Sequence, residues 1–428
     1  MKIVADPNLT AAQRAALVRR PERTIPSLDA TVADLCRDVR SNGDAAVRRL
    51  TARFDGVELE RLRLTPEEIV DGASRVAPEV REAIEAAARS IRLFHAAQGP
   101  RTSVVETLPG VRCWREVRPI RSVGLYVPAG SAPLPSTVLM LGVPATIAGC
   151  ERIALCSPPR ANGTVDPTVL AAARHLGITE IYRVGGVQAI AALAYGSASI
   201  PKVDKIFGPG NAYVSAAKRF VAGDPDGCAI DLIAGPSELL IIADASADPR
   251  RVAADLLSQA EHDPSSPVVL ATTDASLAER TSTILADLAR TTPRAAIVEQ
   301  SLRHAFALVV ETLDAAVAFS NDYAPEHLII DTADPISLVP SIRSAGSVFL
   351  GPWSPVTAGD YASGTNHTLP TGGEAARMSG LSLESFQTVV SFQSLTADGL
   401  SRLRPTLTAL GTAEGLPAHV AAVEARFS

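Results

Sequence analysis

The sequence predicts an α/β fold with parallel sheets, and three observations carry that expectation. From about Arg118 onward, short apolar runs alternate with helical segments, the pattern of strand, crossover helix and next strand. Glycine-rich turns punctuate the same region. The chain has 428 residues, is 46% hydrophobic and carries a formal net charge of −6, which is enough for two or three domains with real cores.

The first hundred residues are helical in pattern. Thr65-Pro66-Glu67-Glu68 forms a capping box with proline at the first helical position, and Val80, Ile84, Ala87, Ile91 and Phe94 follow as a narrow apolar seam. Such a seam suits packing on a partner helix or subunit, and His95 beside it reads as structural. Strands are then expected at 123–127, 153–156, 181–184, 205–207, 239–242 and 268–270. Asp166 and Pro167 start one intervening helix and Gly177 ends it, with His175 inside it and no catalytic reading attached. The turns Pro128-Ala129-Gly130, Gly185-Gly186-Val187-Gln188 and Gly208-Pro209-Gly210-Asn211 could each hold a phosphate or ribose against backbone N–H groups. None is a dinucleotide fingerprint, since the nearest match has Tyr213 where the third glycine belongs.

Polar residues gather at a few places in this frame. The run Ile230-Asp-Leu-Ile-Ala-Gly-Pro-Ser-Glu238 sets a hydroxyl, Ser237, and a carboxylate, Glu238, immediately before a buried strand. Segment 255–264 reads as the last two turns of a helix, with Leu256, Leu257 and Ala260 on its apolar face and Pro264 as its stop. Gln259 and His262 then stand one above the other, and can offer an amide oxygen and an imidazole nitrogen to one ion if the chain brings further ligands. Taken alone, the same pair is a surface helix end with a histidine near the negative pole of the dipole. Glu326 and His327, on a bend ahead of a strand reaching Asp331, can point at two sides of one reacting centre or form a structural pair. The loop 353–371 is too long and too rich in aromatics and histidine for an idle linker, and holds Asp360 as a hard ligand and His367. Glu414 and His419 flank the start of a short apolar helix with Pro417 in its first turn, on different faces and so with different tasks.

Composition excludes several classes. A mildly acidic chain without long Lys/Arg runs offers no footprint for nucleic acid or an anionic membrane. The N-terminus lacks an apolar signal core and no apolar run lasts the roughly 18 residues of a membrane span, so a cytoplasmic location is expected. Five scattered cysteines without C-x-x-C spacing (Cys36, Cys113, Cys150, Cys156, Cys228) read as buried thiols.

Taken together, Gly208-Pro-Gly-Asn211, Ala234-Gly-Pro-Ser-Glu238, Asp255-Leu-Leu-Ser-Gln-Ala-Glu-His262, Pro325-Glu-His-Leu328, Ala358-Gly-Asp-Tyr-Ala-Ser-Gly-Thr-Asn-His367 and Ala413-Glu-Gly-Leu-Pro-Ala-His419 resemble histidinol dehydrogenases over nearly the whole chain. The resemblance implies a zinc-containing homodimer that oxidises L-histidinol through L-histidinaldehyde to L-histidine with two NAD⁺. It implies two Rossmann-like domains, at 118–235 and 236–375. Residues 1–117 would form a helical N-terminal region, partly packed on the second domain and the dimer partner, and 376–428 a C-terminal tail exchanged between subunits. By the same resemblance Gln259, His262, Asp360 and His419 match zinc ligands, and Glu326 and His327 the acid–base pair. Ser237, His367 and Glu414 match substrate contacts, and Tyr126, Gln188 and Asn211 NAD contacts. The chain departs from the family at Ala129, where a second glycine is more usual, and at Ala324, where glycine usually precedes Pro-Glu-His-Leu. The competing readings are a zinc hydrolase, which the absence of H-E-x-x-H opposes, a related dehydrogenase acting on another polar alcohol, and a non-enzymatic metal- or nucleotide-binding module.

Overall fold

The computed structural model describes residues 1–6, 9–20, 28–99, 103–129, 133–233 and 235–427; Gly130 and Ala234, named above in turns, lie outside the described residues. Two all-parallel sheets organise the chain. The first runs Glu180–Arg183, Arg152–Ser157, Ser122–Tyr126, Lys205–Phe207, Ala229–Ile230 in spatial order. The second runs Lys2–Ala5, Phe306–Val309, Val268–Thr272, Leu239–Ala243, His327–Asp331, Ser347–Leu350. Leaving aside Lys2–Ala5, both follow the doubly wound order 3-2-1-4-5 in their own strands, with the reversal beside the first strand of each. Helices cover both faces, which is why Leu239–Ala243 and Val268–Thr272 are buried at every residue and read as unbroken apolar runs.

Elements outside these sheets differ from the helical expectation in detail. Lys2–Ala5 adds the N-terminus to the edge of the second sheet, parallel to Phe306–Val309, although no alternation marks it. Val105–Leu108, Val111–Pro119 and Gln387–Leu395 form a separate antiparallel sheet, so the C-terminal segment contributes a long strand before its helices Ala397–Ala413 and Pro417–Glu424. Helix Pro78–Ala96 begins after the capped helix Pro66–Ser74 and buries Ile84, Ala87, Ala88, Ile91 and His95, while Val80 and Phe94 face solvent. The buried stripe is thus turned slightly from the expected seam, and His95 lies within it. The His95 ring nitrogen Nδ1 meets the Ile91 carbonyl at 2.9 Å, and burial lowers its pKa, as befits a neutral structural histidine.

Candidate active site

The second sheet supplies the densest polar cluster, at the amino ends of its strands. Glu238 immediately precedes Leu239–Ala243, and the neighbouring strand opens with His327, so hydrogen-bond register alone brings the two segments side by side. The Glu238 carbonyl accepts from the His327 backbone N–H at 3.3 Å and lies 3.1 Å from its Nδ1. Nδ1 therefore carries a proton, and Nε2 faces Asp360 Oδ1 at 3.6 Å with no hydrogen-bond partner among the described residues. Glu326 sits with one oxygen 3.5 Å from His327 Nδ1 and accepts from the Glu238 N–H at 2.8 Å.

Local backbone sets this bend. Helix Leu313–Tyr323 ends on Ala324 in the left-handed region (φ 48°, ψ 63°), where its N–H reaches the Ser320 carbonyl at 2.8 Å. Among the described residues Ala324 alone, other than glycines, has positive φ. A Cβ is disfavoured there, which accounts physically for the glycine that the resemblance leads one to expect at this position.

The long loop brings the remaining groups. Asp360 and His367 come together because His367 Nδ1 meets the Asp360 carbonyl at 2.9 Å, and His367 Nε2 lies 3.5 Å from Thr137 Oγ1. Gln259 is buried in the last turn of Pro249–Ala260, and its Nε2 position has no partner among the described residues. His262 follows the helix end, is exposed to solvent in the single chain, and feels the charges of Asp360 and His327. Ser237 stands half-buried beside Glu238.

Electrostatics follow from this crowding. Burial pushes Glu326 up to about 8 against the pull of His327. Burial also works against a charged His327, but the carboxylates of Glu326 and Asp360 outweigh it and raise the imidazole to about 9. The two groups therefore titrate together rather than singly. Asp360 is opposed by burial as well, yet His327, His367 and His262 hold it below the usual carboxylate range. Burial lowers His262 and His367, which favours neutral, ligand-ready rings.

The donor chemistry fits a cation. Gln259, His262 and Asp360 offer an amide, an imidazole and a carboxylate, two orphaned buried polar atoms stand at Gln259 and His327, and no thiolate is among them. Rotating the Gln259 amide by a half-turn presents its carbonyl at the orphaned position. Three such residues from one chain leave room for a fourth ligand. Glu414 and His419 do not complete the set here: both are exposed on the C-terminal helical pair, with no contact to these residues among those described.

The residues expected to meet NAD lie at the carboxyl ends of the first sheet. Tyr126 ends its first strand and its hydroxyl accepts from Gly186 N–H at 3.1 Å. Gln188, in the first turn of Gly186–Tyr195, donates to Asp55 at 3.4 Å and leaves Oε1 unpartnered among the described residues. Asn211 caps Ala212–Ala222, accepting from Tyr213 and Val214 N–H at 3.1 Å. Gly208 before it has φ 128°, and a Cβ would come within 2.1 Å of the Tyr126 carbonyl oxygen.

Sequence reasoning missed what holds that turn. Lys218 projects from Ala212–Ala222 into the interior, donating to the carbonyls of Gly208 (2.9 Å) and Leu232 (2.7 Å) and pairing with Asp231, which accepts from Gly208 N–H at 2.8 Å. A lone lysine on the buried face of that helix was the available signal. Lys218→Met strands the buried Asp231 charge, so a loss of about 3–5 kcal/mol is expected in denaturant unfolding. An unfolding midpoint equal to that of the parent protein would refute this role.

Comparisons with known proteins agree with the geometry. A family profile described as histidinol dehydrogenase matches residues 18–427. The histidinol dehydrogenase of Photobacterium profundum is 50% identical over 428 residues, covering 100% of this chain and 96% of that protein. That of Salmonella typhimurium is 51% identical over 416 residues, 97% of this chain and 95% of that protein. A crystal structure of histidinol dehydrogenase from Elizabethkingia anophelis superposes with a TM-score of 0.96 at 44% identity, over 100% of this chain and 98% of that one. Matched from end to end by profile, sequence and fold, with Glu326, His327, Asp360 and His367 drawn into one cluster, the chain belongs to the histidinol dehydrogenase family.

Proposed function

We propose that this protein oxidises L-histidinol through L-histidinaldehyde to L-histidine, the last step of histidine biosynthesis, as a cytoplasmic homodimer that uses zinc and two NAD⁺. The observation that carries the reading is the buried pair Glu326 and His327, facing Asp360 and His367.

Gln259, His262, Asp360 and a partner-derived His419 would hold the zinc. When bound, the zinc supplies a Lewis-acidic anchor for the imidazole and amine of the substrate, and NAD⁺ supplies a hydride acceptor in each of two rounds. His327 removes the hydroxyl proton through Nε2, because Nδ1 is committed to the Glu238 carbonyl. Asp360, after Glu326 the second carboxylate that raises His327, would be offset by a zinc it holds, which would favour a ring free to act as a base. Glu326 takes the proton from the water that adds to the aldehyde carbon, its raised pKa suiting it to that work near neutral pH. Ser237, His367 and Glu414 orient the substrate, while Tyr126, Gln188 and Asn211 hold NAD. Exposed apolar residues on the small antiparallel sheet and the C-terminal helices, among them Val105, Val389, Val390 and Leu410, support the homodimer and a tail that crosses it.

Histidinol with NAD⁺, followed at 340 nm, tests the reading. A strong chelator is expected to abolish turnover and added zinc to restore it, while the far-ultraviolet spectrum stays unchanged because cores of this size do not depend on one ion. Full activity in protein shown by elemental analysis to be metal-free would sink it.

A further inference from the structure

We propose that Glu238 and Arg20 are positioning residues for the acid–base pair: they hold the Glu326 carboxylate in one orientation and the His327 ring in one tautomer. The proposal rests on the reading of Glu326 and His327 given above.

Glu238 is fully buried and touches both partners twice. Its backbone N–H donates to Glu326 Oε2 at 2.8 Å, and its own Oε1 accepts from the Glu326 backbone N–H at 3.2 Å. The two residues thus cross-link carboxylate to backbone in both directions, a closed pair that leaves Glu326 little rotational freedom. The carbonyl of Glu238 also engages the backbone N–H and Nδ1 of His327, so the same residue assigns which ring nitrogen is free.

The Glu238 carboxylate does not face the reacting groups alone. Arg20 grips it bidentately, Nε to Oε2 at 2.8 Å and Nη2 to Oε1 at 2.7 Å, while Nη1 donates to the Val18 carbonyl at 2.8 Å. The guanidinium carbon also lies over Tyr323, 3.4 Å from its ring centre. Tyr323 ends the helix that leads into the Ala324 bend, so one side chain from the N-terminal arm ties down both segments that present Glu326. A buried Arg–Glu pair is weak as a source of stability, because desolvation offsets most of the attraction. A fork-shaped, two-bond grip does fix direction, and the direction it fixes is that of Oε1, the acceptor for the Glu326 N–H.

The test uses full-length, zinc-loaded protein and measures each half-reaction separately, with histidinol and with the aldehyde as starting compounds. Arg20→Met and the isosteric Glu238→Gln are expected to lower kcat for acid formation from the aldehyde by about 100-fold, with KM for histidinol and zinc content within about twofold of the parent. Arg20→Lys, which restores the charge without the fork, should recover only part of the loss. The ring ¹⁵N shifts of His327 should move from a single tautomer toward a mixture in Arg20→Met and Glu238→Gln, because a Glu238 segment no longer held by the fork lets its backbone carbonyl, the partner of Nδ1, shift away from the ring. Unchanged kcat in both variants, a rise in KM alone, or zinc content falling in step with activity would overturn the proposal. Glu326→Gln and His327→Asn are assayed beside them: if those two leave both half-reactions intact, it is the acid–base reading that fails, whatever Arg20 and Glu238 do.

Discussion

His327→Asn is expected to slow alcohol oxidation and aldehyde oxidation alike, each by about 10²–10⁴-fold, whereas Glu326→Gln should slow only the second to that degree. The division follows from what each group can reach. His327 has one ring nitrogen consumed by the Glu238 carbonyl and the other unpartnered toward Asp360, so it is the base available to a hydroxyl held in the cluster. A proton must leave the alcohol in the first oxidation and the hydrated aldehyde in the second, which engages His327 in both. Glu326 is set behind it and bound to the Glu238 N–H, a place suited to activating water, which only the second oxidation consumes. Feeding the aldehyde directly to each variant and following NADH in a single turnover separates the steps. Equal losses in both half-reactions for both variants would refute the division of labour.

Mixing two inactive variants, His262→Ala and His419→Ala, should restore roughly a quarter of parental sites when dimers pair at random. His262 lies with Asp360 in the body of the chain, whereas His419 and Glu414 are exposed on a helical pair that makes no described contact with that cluster. If the tail crosses to its partner, a mixed dimer has one site with both lesions and one with neither. If each tail served its own chain, every site in every dimer would keep one lesion. Co-expression with distinct tags lets the mixed species be isolated and assayed, and absence of regained activity in verified mixed dimers would rule the crossing out.

Much of the fold was legible because strands buried on both faces are nearly unbroken apolar runs. The run at 123–127 became Ser122–Tyr126, and 268–270 became Val268–Thr272, both within a turn residue or two of expectation. Lys2–Ala5 and Gln387–Leu395 were not legible, since both lie largely at the surface and show neither a continuous apolar run nor clean alternation. In the cluster itself, residue type and local spacing pointed to Gln259 with His262 and to Glu326 with His327. Arg20 carried no such signal. It precedes a proline outside any apolar period, and its partner Glu238 is 218 residues away, a proximity that only the completed sheet creates. Lys218 was hidden for the opposite reason, as a charge on a buried helix face that pattern reading treats as surface.

The shared strand order of the two parallel sheets does not give them a shared working end. One order appears twice in the chain, yet the polar groups described above gather at opposite poles of the two sheets. In the first they stand at the carboxyl ends, with Tyr126 and the Gly208 turn. In the second they stand at the amino ends, and the carboxyl ends are bridged instead: Asp244 accepts from Ala333 N–H at 2.9 Å across the strand reversal, and Arg251 meets Asp331 at 3.5 Å beside it. Two sheets of one topology thus present their polar groups at opposite ends, so substitutions at the carboxyl ends of the second sheet, a sheet's length away from Glu326 and His327, are expected to spare the acid–base cluster.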